Sequence, residues 1–200
     1  MATRNTLILA TANAHKVREM ESLLVDCGWA VAAAPAEMAE IEETGSTFAE
    51  NARIKALATA RATKNIALAD DSGLMVDGLN GEPGVHSKRW AGDDADDGDR
   101  IAKLLNALDS VPYQDRTARF VCAACIAGPE GVLWEGEGRV EGVIALAPSG
   151  NGGFGYDPIF HVPEAGRTMA NLSEKEKNAI SHRGRAMSQA AEWLRSNKAR

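Results

Sequence analysis

Two adjacent carboxylates, Asp70 and Asp71, end a short apolar run, Ile66-Ala67-Leu68-Ala69, and are followed by Ser72 and Gly73. The run has the length and boundaries of a buried strand. Buried acids are costly unless a cation compensates them. Successive strand side chains point to opposite faces, so one of the pair faces a given cleft and the other pairs locally. The chemistry this suggests is a hard-metal ligand or a general base. The competing interpretation is a Ser/Asp/Gly turn leading into a second strand, Leu74-Met75-Val76.

Four further groups of residues could serve the same chemistry. Thr11, Ala12 and Asn13 form a small-residue turn ahead of a helix with His15 and Lys16 in its first turn. Free N–H groups and the helix dipole attract an anion there, and Lys16 adds a point charge. The frame of a Walker loop is absent, and an ordinary strand–helix junction explains the same residues. Glu40, Glu42 and Glu43 precede a capping box, Thr47-x-x-Glu50, that opens a helix on which Asn51 and Lys55 share a face. These acids could supply a second metal ligand and Lys55 a phosphate contact, or the acids complement the helix dipole. Gly150 to Gly155 fits G-x-G-x-x-G, but the Tyr156 to Phe160 segment that follows reads as extended and contains Pro158. A dinucleotide fingerprint must open a helix. What remains is a loop a ligand can approach closely, with Phe154 available to stack on a flat ring. Finally, Lys177, His182 and Arg183 lie in a helical segment opened by the capping box Ser173-x-x-Glu176. Lys177 and His182 sit about 140° apart on an unbroken helix, so they converge only if it breaks, near Ser181 and Gly184. Otherwise they form an exposed basic face.

The elements that must position these residues follow from periodicity. Strands are expected over Thr6 to Ala10, Trp29 to Pro35, Arg116 to Ala127 and Val132 to Ala147, the last two joined by a Gly128-Pro129-Glu130-Gly131 hairpin. Helices are expected over Ala14 to Cys27, Phe48 to Thr63, Gly98 to Leu108 and Ser173 to Asn197. The acidic loop Asp93 to Asp99 fails as a calcium loop, because with Gly98 at the required glycine Ala95 and Leu104 occupy ligand positions. It is expected to be a solvated turn and helix cap.

The 200 residues suit one domain with 44% hydrophobic content. A net charge of −6 argues against nucleic-acid binding, which needs a basic footprint. Cys122 and Cys125 would point to opposite faces of a strand, so these and Cys27 are expected to be reduced. No signal peptide and no apolar stretch near the ~20 residues of a membrane span are present, so a soluble cytoplasmic protein is expected.

Taken together, T-A-N-A-H-K-V-R-E, E-E-T-G-x-T-F-x-E-N-A-x-x-K-A, A-D-D-S-G-L, G-x-P-G-V-H-S, G-G-F-G-Y-D-P-I-F and S-x-x-E-K-x-x-I-S-H-R-G resemble the ordered motifs of the inosine triphosphate pyrophosphatases, the dITP/XTP pyrophosphatase family. Ala12 stands where that family usually has glycine. The resemblance implies a mixed α/β homodimer with a long twisted sheet flanked by helices, and two lobes with a central cleft. It implies Mg²⁺-dependent attack of water on the α-phosphorus of ITP, dITP or XTP. By the same resemblance, Thr11, Ala12, Asn13, Ala14, His15 and Lys16 cradle the triphosphate with Lys55. Asp71 is base or metal ligand, Glu43 joins it on Mg²⁺, and Ser72 contacts substrate. Phe154, Gly155, Tyr156, Asp157, Lys177, His182 and Arg183 hold the nucleoside, and Lys88 or Arg89 closes over the phosphates. Another metal-dependent phosphohydrolase, or a nucleotide sensor without activity, would carry many of the same residues.

Overall fold

The computed structural model describes residues 5–36, 38 and 41–197. Glu40 of the acidic cluster lies outside them. In chain order the elements are β1 (Thr6–Leu9), α1 (Ala14–Leu24), β2 (Ala30–Ala33), α2 (Phe48–Thr63), β3 (Ile66–Val76), α3 (Asp97–Ala107), β4 (Thr117–Gly128), β5 (Gly131–Ile144), β6 (Phe160–Val162), β7 (Arg167–Thr168), α4 (Glu174–Ile180) and α5 (His182–Ser196). The strands form one mixed sheet in the order β2-β1-β3-β4-β5-β6-β7. No helix among the described residues is long and apolar enough to cross a membrane.

The chain divides into two compact units. The first comprises Met1–Asp71, Cys122–Gly138 and Arg183–Arg200. Here β1 runs parallel to β2 and to β3, with Leu7 opposite Ile66 and Leu9 opposite Leu68. Parallel neighbours need crossover connections, which α1 and α2 provide. The core gathers Leu7, Leu9, Met20, Leu24, Leu68 and Ile126 with Met187 and Leu194 of α5. The indole N–H of Trp29 donates to the Leu194 carbonyl at 3.0 Å and fixes the end of that helix. Cys27, Cys122 and Cys125 are buried free thiols.

The second unit comprises Ser72–Val121 and Arg139–His182. Its antiparallel strands β5, β6 and β7 pair in succession. Ile101 and Leu104 of α3 pack with Leu74, Val76, Phe120, Ile144 and Phe160. Asp96 caps α3 in a reciprocal box with Asp99, so the acidic loop is the helix cap expected of it. The long C-terminal helix does break: Ser181 is extended, with φ −69° and ψ 158°, and separates α4 from α5.

The Asp70–Gly73 segment is not a turn. β3 runs unbroken through it for 11 residues. A strand can carry two buried acids because cations meet them. Lys16 Nζ lies 3.0 Å from Asp70 Oδ2. Arg183 donates to the same oxygen from Nη2 at 2.9 Å and Nε at 3.2 Å. Burial pushes the Asp70 carboxyl up, but the Lys16 and Arg183 charges outweigh it and hold the group far below the usual carboxylate range. Arg183 Nη1 also donates to Glu19 at 2.6 Å.

Asp70→Asn removes the charge and leaves two buried or half-buried cations facing a neutral amide. It should cost about 3–5 kcal/mol in denaturant unfolding at neutral pH. Because the folded-state pKa is depressed, this stabilisation exists above the unfolded value and fades as pH falls toward the folded one. The gap between variant and wild type should therefore narrow below about pH 4. A variant within about 1 kcal/mol of wild type at neutral pH would contradict this account.

Candidate active site

In the first unit the acids converge through α2. Its buried stripe is Phe48, Asn51, Ala52, Lys55, Ala56, Thr59 and Ala60, an i, i+3, i+4 pattern in which three polar residues, Asn51, Lys55 and Thr59, replace apolar ones. Lys55 Nζ meets Glu43 Oε1 at 2.6 Å and Asp71 Oδ1 at 3.2 Å. Asn51 Nδ2 donates to Asp71 Oδ2 at 3.2 Å, and Asn51 Oδ1 accepts from the Gly45 N–H at 2.7 Å. Asn51 thus ties Asp71 to the loop that carries Glu43. A Cβ on Gly45 would lie 2.6 Å from Glu50 Cβ and 2.7 Å from Asn51 Oδ1, so glycine is required for this close approach.

The Lys55–Asp71 pair affects its members in opposite senses. Burial pushes Lys55 down, but Asp71, Asp70 and Glu43 together raise it, so the ammonium stays charged. Burial raises Asp71 above its ordinary value, with Lys55 opposing and Glu43 adding to the rise. A carboxylate so poised is a better proton acceptor near neutral pH than an exposed aspartate. Two carboxylate oxygens from separate segments lie within 3.2 Å of one cationic nitrogen. Two carboxylate oxygens are donors of the type a hard divalent cation takes. No group of three or more acids, histidines or cysteines able to hold a metal occurs among the described residues.

At the start of α1, Asn13 acts as the N-cap: its Oδ1 accepts from His15 N at 2.9 Å and Lys16 N at 3.3 Å, and its carbonyl accepts from Val17 N. The Asn13 N–H donates to Thr11 Oγ1 at 3.2 Å. Amide groups expected to meet an anion are therefore held by a cap, and an anion must compete with Asn13 for them. Among the described residues, the non-glycines with positive φ are Lys64 and Asn80, so Ala12 keeps a negative φ without strain. Ala14 is the first residue of α1.

The Arg183 guanidinium, expected at a base edge, is 2% exposed and engaged by Asp70 and Glu19. A direct base contact would require it to leave both carboxylates. The nitrogen fork instead fixes Asp70, which in turn fixes Lys16.

In the second unit the glycine-rich loop is organised by Asp157. Its Oδ2 accepts from the Phe154 N–H at 2.9 Å and from Lys177 Nζ at 2.7 Å, although the side chain is only 4% exposed. Lys177 Nζ sits 4.7 Å from the centre of the Phe154 ring, a cation–π arrangement. The Tyr156 hydroxyl donates to the Ser87 carbonyl at 3.0 Å, and burial pushes that phenol up. Gly155 N donates to Asp97 Oδ2 at 2.7 Å. His182 stacks on Phe120, with ring centres 4.8 Å apart and planes 12° from parallel. Ser72 is half-buried in β3, and Lys88 and Arg89 are exposed at the end of a 3₁₀ stretch, Gly84–Arg89.

Three residues that the structure makes central carry no site role from the sequence: Asn51 on Asp71, Glu19 on Arg183, and Asp97 on Gly155. Only Asn51 carried a usable signal, a polar residue one turn before Lys55 on the same helical face. Glu19 and Asp97 look like ordinary helix-surface acids until the fold brings their partners to them.

The chain matches the model of the Ham1 family over residues 7–193. It is 52% identical over 190 residues to the dITP/XTP pyrophosphatase of Desulforamulus reducens, covering 94% of each chain. It is 55% identical over 181 residues to the dITP/XTP pyrophosphatase of Gloeobacter violaceus, covering 90% of each. Among solved structures, a HAM1 protein from Coxiella burnetii superposes with a TM-score of 0.87 at 45% identity, covering 96% of this chain and all of that one.

Gly153 tests the loop. Its φ is +72°, and an added Cβ would lie 2.0 Å from Asp157 Oδ2. Gly153→Ala should displace Asp157, release the Phe154 amide and cost at least about 2 kcal/mol in thermal or denaturant unfolding. Hydrogen exchange at Phe154 N should accelerate in step. Unchanged exchange at that amide would show that Asp157 does not hold the loop.

Proposed function

The chain belongs to the Ham1 family, and on that footing we propose that it hydrolyses ITP, dITP and XTP to the nucleoside monophosphate and pyrophosphate. The observation that carries this reading is the convergence of Glu43, Lys55 and Asn51 on Asp71. An oxygen pair for a divalent cation, a phosphate-binding ammonium and a carboxyl raised toward neutrality are the parts such a reaction needs.

In this reading Asp71 and Glu43 hold Mg²⁺. When bound, that ion neutralises charge on the triphosphate and on departing pyrophosphate. Water forms the new bond to the α-phosphorus while the bond from that phosphorus to the bridging oxygen breaks, and the electron pair leaves with pyrophosphate. Asp71 takes the proton of the attacking water and later returns it to solvent. Lys55 turns from its carboxylates to the phosphates, and Lys16, held by Asp70, joins it beside the Asn13-capped helix start. Ser72 contacts the substrate, and Lys88 or Arg89 closes on the phosphates.

Base choice falls to the second unit. The purine stacks on Phe154, and Lys177 and His182 donate to the 6-oxo group that hypoxanthine and xanthine share. Adenine carries an amino donor at that position, so donor meets donor and buried groups are left unpaired. Arg183 acts through Asp70 and not on the base, so Arg183→Ala should lower turnover of ITP and ATP by the same factor. The resemblance also supports a homodimer, which sedimentation equilibrium would read directly.

The decisive assay is pyrophosphate release from a panel of ITP, XTP, GTP and ATP, with Mg²⁺ and with EDTA. ITP and XTP should be turned over well above ATP, and chelation should abolish activity. Full turnover in EDTA would remove Glu43 and Asp71 as cation ligands. Asp71→Asn keeps the shape but neither charge nor basicity, and kcat should fall at least ~10²-fold with folding intact. Because burial raises Asp71 above its ordinary value, activity should be lost as pH falls and Asp71 takes up a proton, and a rate that stays level down to the acid unfolding of the chain would contradict the assignment.

A further inference from the structure

Within the second unit, the loop that carries Phe154 is held by two carboxylates. Asp157, from the loop itself, accepts the Phe154 N–H, and Asp97, from the first turn of α3, accepts the next one, Gly155 N–H, at 2.7 Å. Gly155 sits at φ +62°. The two successive peptide groups that flank the Phe154 Cα are therefore each held by an acid, one local and one 58 residues from Gly155 in sequence.

Asp97 does not act alone. Its other oxygen, Oδ1, accepts from Arg100 Nη2 at 2.5 Å. The second nitrogen of the same fork, Nη1, donates to the carbonyls of Lys88 at 3.1 Å and Ala95 at 2.5 Å. One guanidinium thus joins the Gly84–Arg89 stretch to the carboxylate that grips Gly155. A second tie runs in parallel, from the Tyr156 hydroxyl to the Ser87 carbonyl at 3.0 Å. The first turn of a helix is a common place for an aspartate, but dipole complementarity needs neither a distant backbone amide nor a bridging arginine. A planar fork presents its donors from two nitrogens in a fixed geometry that a single ammonium does not reproduce.

We propose that Asp97 and Arg100 are positioning residues for base selection: they lock the Phe154–Gly155 peptide to the segment bearing Lys88 and Arg89, so that the stacking ring and that cationic pair are set together. This rests on the reading of the chain as a purine nucleoside triphosphate pyrophosphatase, and goes beyond it by assigning specificity to two residues remote from the loop in sequence. Neither touches the base. They act through the backbone of Gly155 and Lys88.

The test is steady-state pyrophosphate release from ITP and ATP by the full chain, with thermal melts alongside. If the wild-type enzyme does not favour ITP over ATP, the functional reading itself fails and the variants are not at issue. Given that preference, Asp97→Ala should lower the ITP/ATP ratio of kcat/KM about tenfold, mostly through a higher KM for ITP. Asp97→Asn keeps an acceptor for the Gly155 N–H and should hold the ratio within about threefold of wild type. Arg100→Lys, which cannot reach Asp97, Lys88 and Ala95 together, should reproduce the loss of Asp97→Ala and carries the test if that variant does not fold. Equal loss on both substrates, an unchanged ratio in Arg100→Lys, or an Asn variant as impaired as the Ala variant would each overturn the proposal. A purely structural aspartate would lower the melting temperature and leave the ratio where it was.

Discussion

A carboxylate with no exposed side chain, Asp70, is the constraint on which the first unit depends. Ionised and alone in such a position it would be untenable. It is stable because Lys16 of α1 and Arg183 of α5 reach it from different parts of the chain. The ion cluster therefore does more than neutralise a charge. It joins the start of α1, the middle of β3 and the start of α5, three elements that must be in register for the unit's core to close. Glu19 extends the alternation of charge by binding the remaining side of the Arg183 fork.

One residue later the same strand presents a carboxylate under the opposite regime. Asp71 is held by a single ammonium and one amide, with Glu43 nearby to oppose its charge. Two identical side chains, adjacent in sequence, are driven apart in acidity by their surroundings, one held far below the usual range and one raised from its ordinary value. Strand alternation makes this division possible: each side chain meets a different set of partners. A buried, strongly ionised acid suits anchoring, while a carboxyl raised toward neutrality suits proton transfer or a cation that replaces its ammonium.

The second unit repeats the logic with a backbone loop in place of a strand. Glycines at 153 and 155 adopt positive φ, which leaves the peptide groups between them without regular partners. Asp157 and Asp97 supply acceptors, and Lys177 balances Asp157 while lying over the Phe154 ring. An aromatic on a glycine-rich loop would ordinarily be mobile. Here its backbone is held by acids at two successive amides.

Much of this was legible in the residues themselves. The longer strands and helices followed from periodicity and capping boxes, whereas β6, β7 and the 3₁₀ turn Asp157–Ile159, where the chain reads as extended, did not; the boxes or caps expected at Thr47, Ser173 and the acidic loop all form. The break at Ser181 could be anticipated because Lys177 and His182 would otherwise diverge. Local spacing was enough for these, since helix and cap geometry depend on residues three or four apart. It was not enough at Asp70–Gly73, where turn preference and strand continuation were balanced. Only Lys16 and Arg183, 54 and 113 residues distant, decide for the strand. The same holds for Arg183, whose side chain reads as a donor for a ligand until the fold surrounds it with two carboxylates, and for Asp97, which reads as a helix cap neighbour until Gly155 arrives. The amino-acid sequence alone determined which elements form and which residue types could do chemistry. The tertiary structure decided which charge meets which, because an ion pair's partner is chosen by proximity in space and by burial, and neither is a local property of the chain.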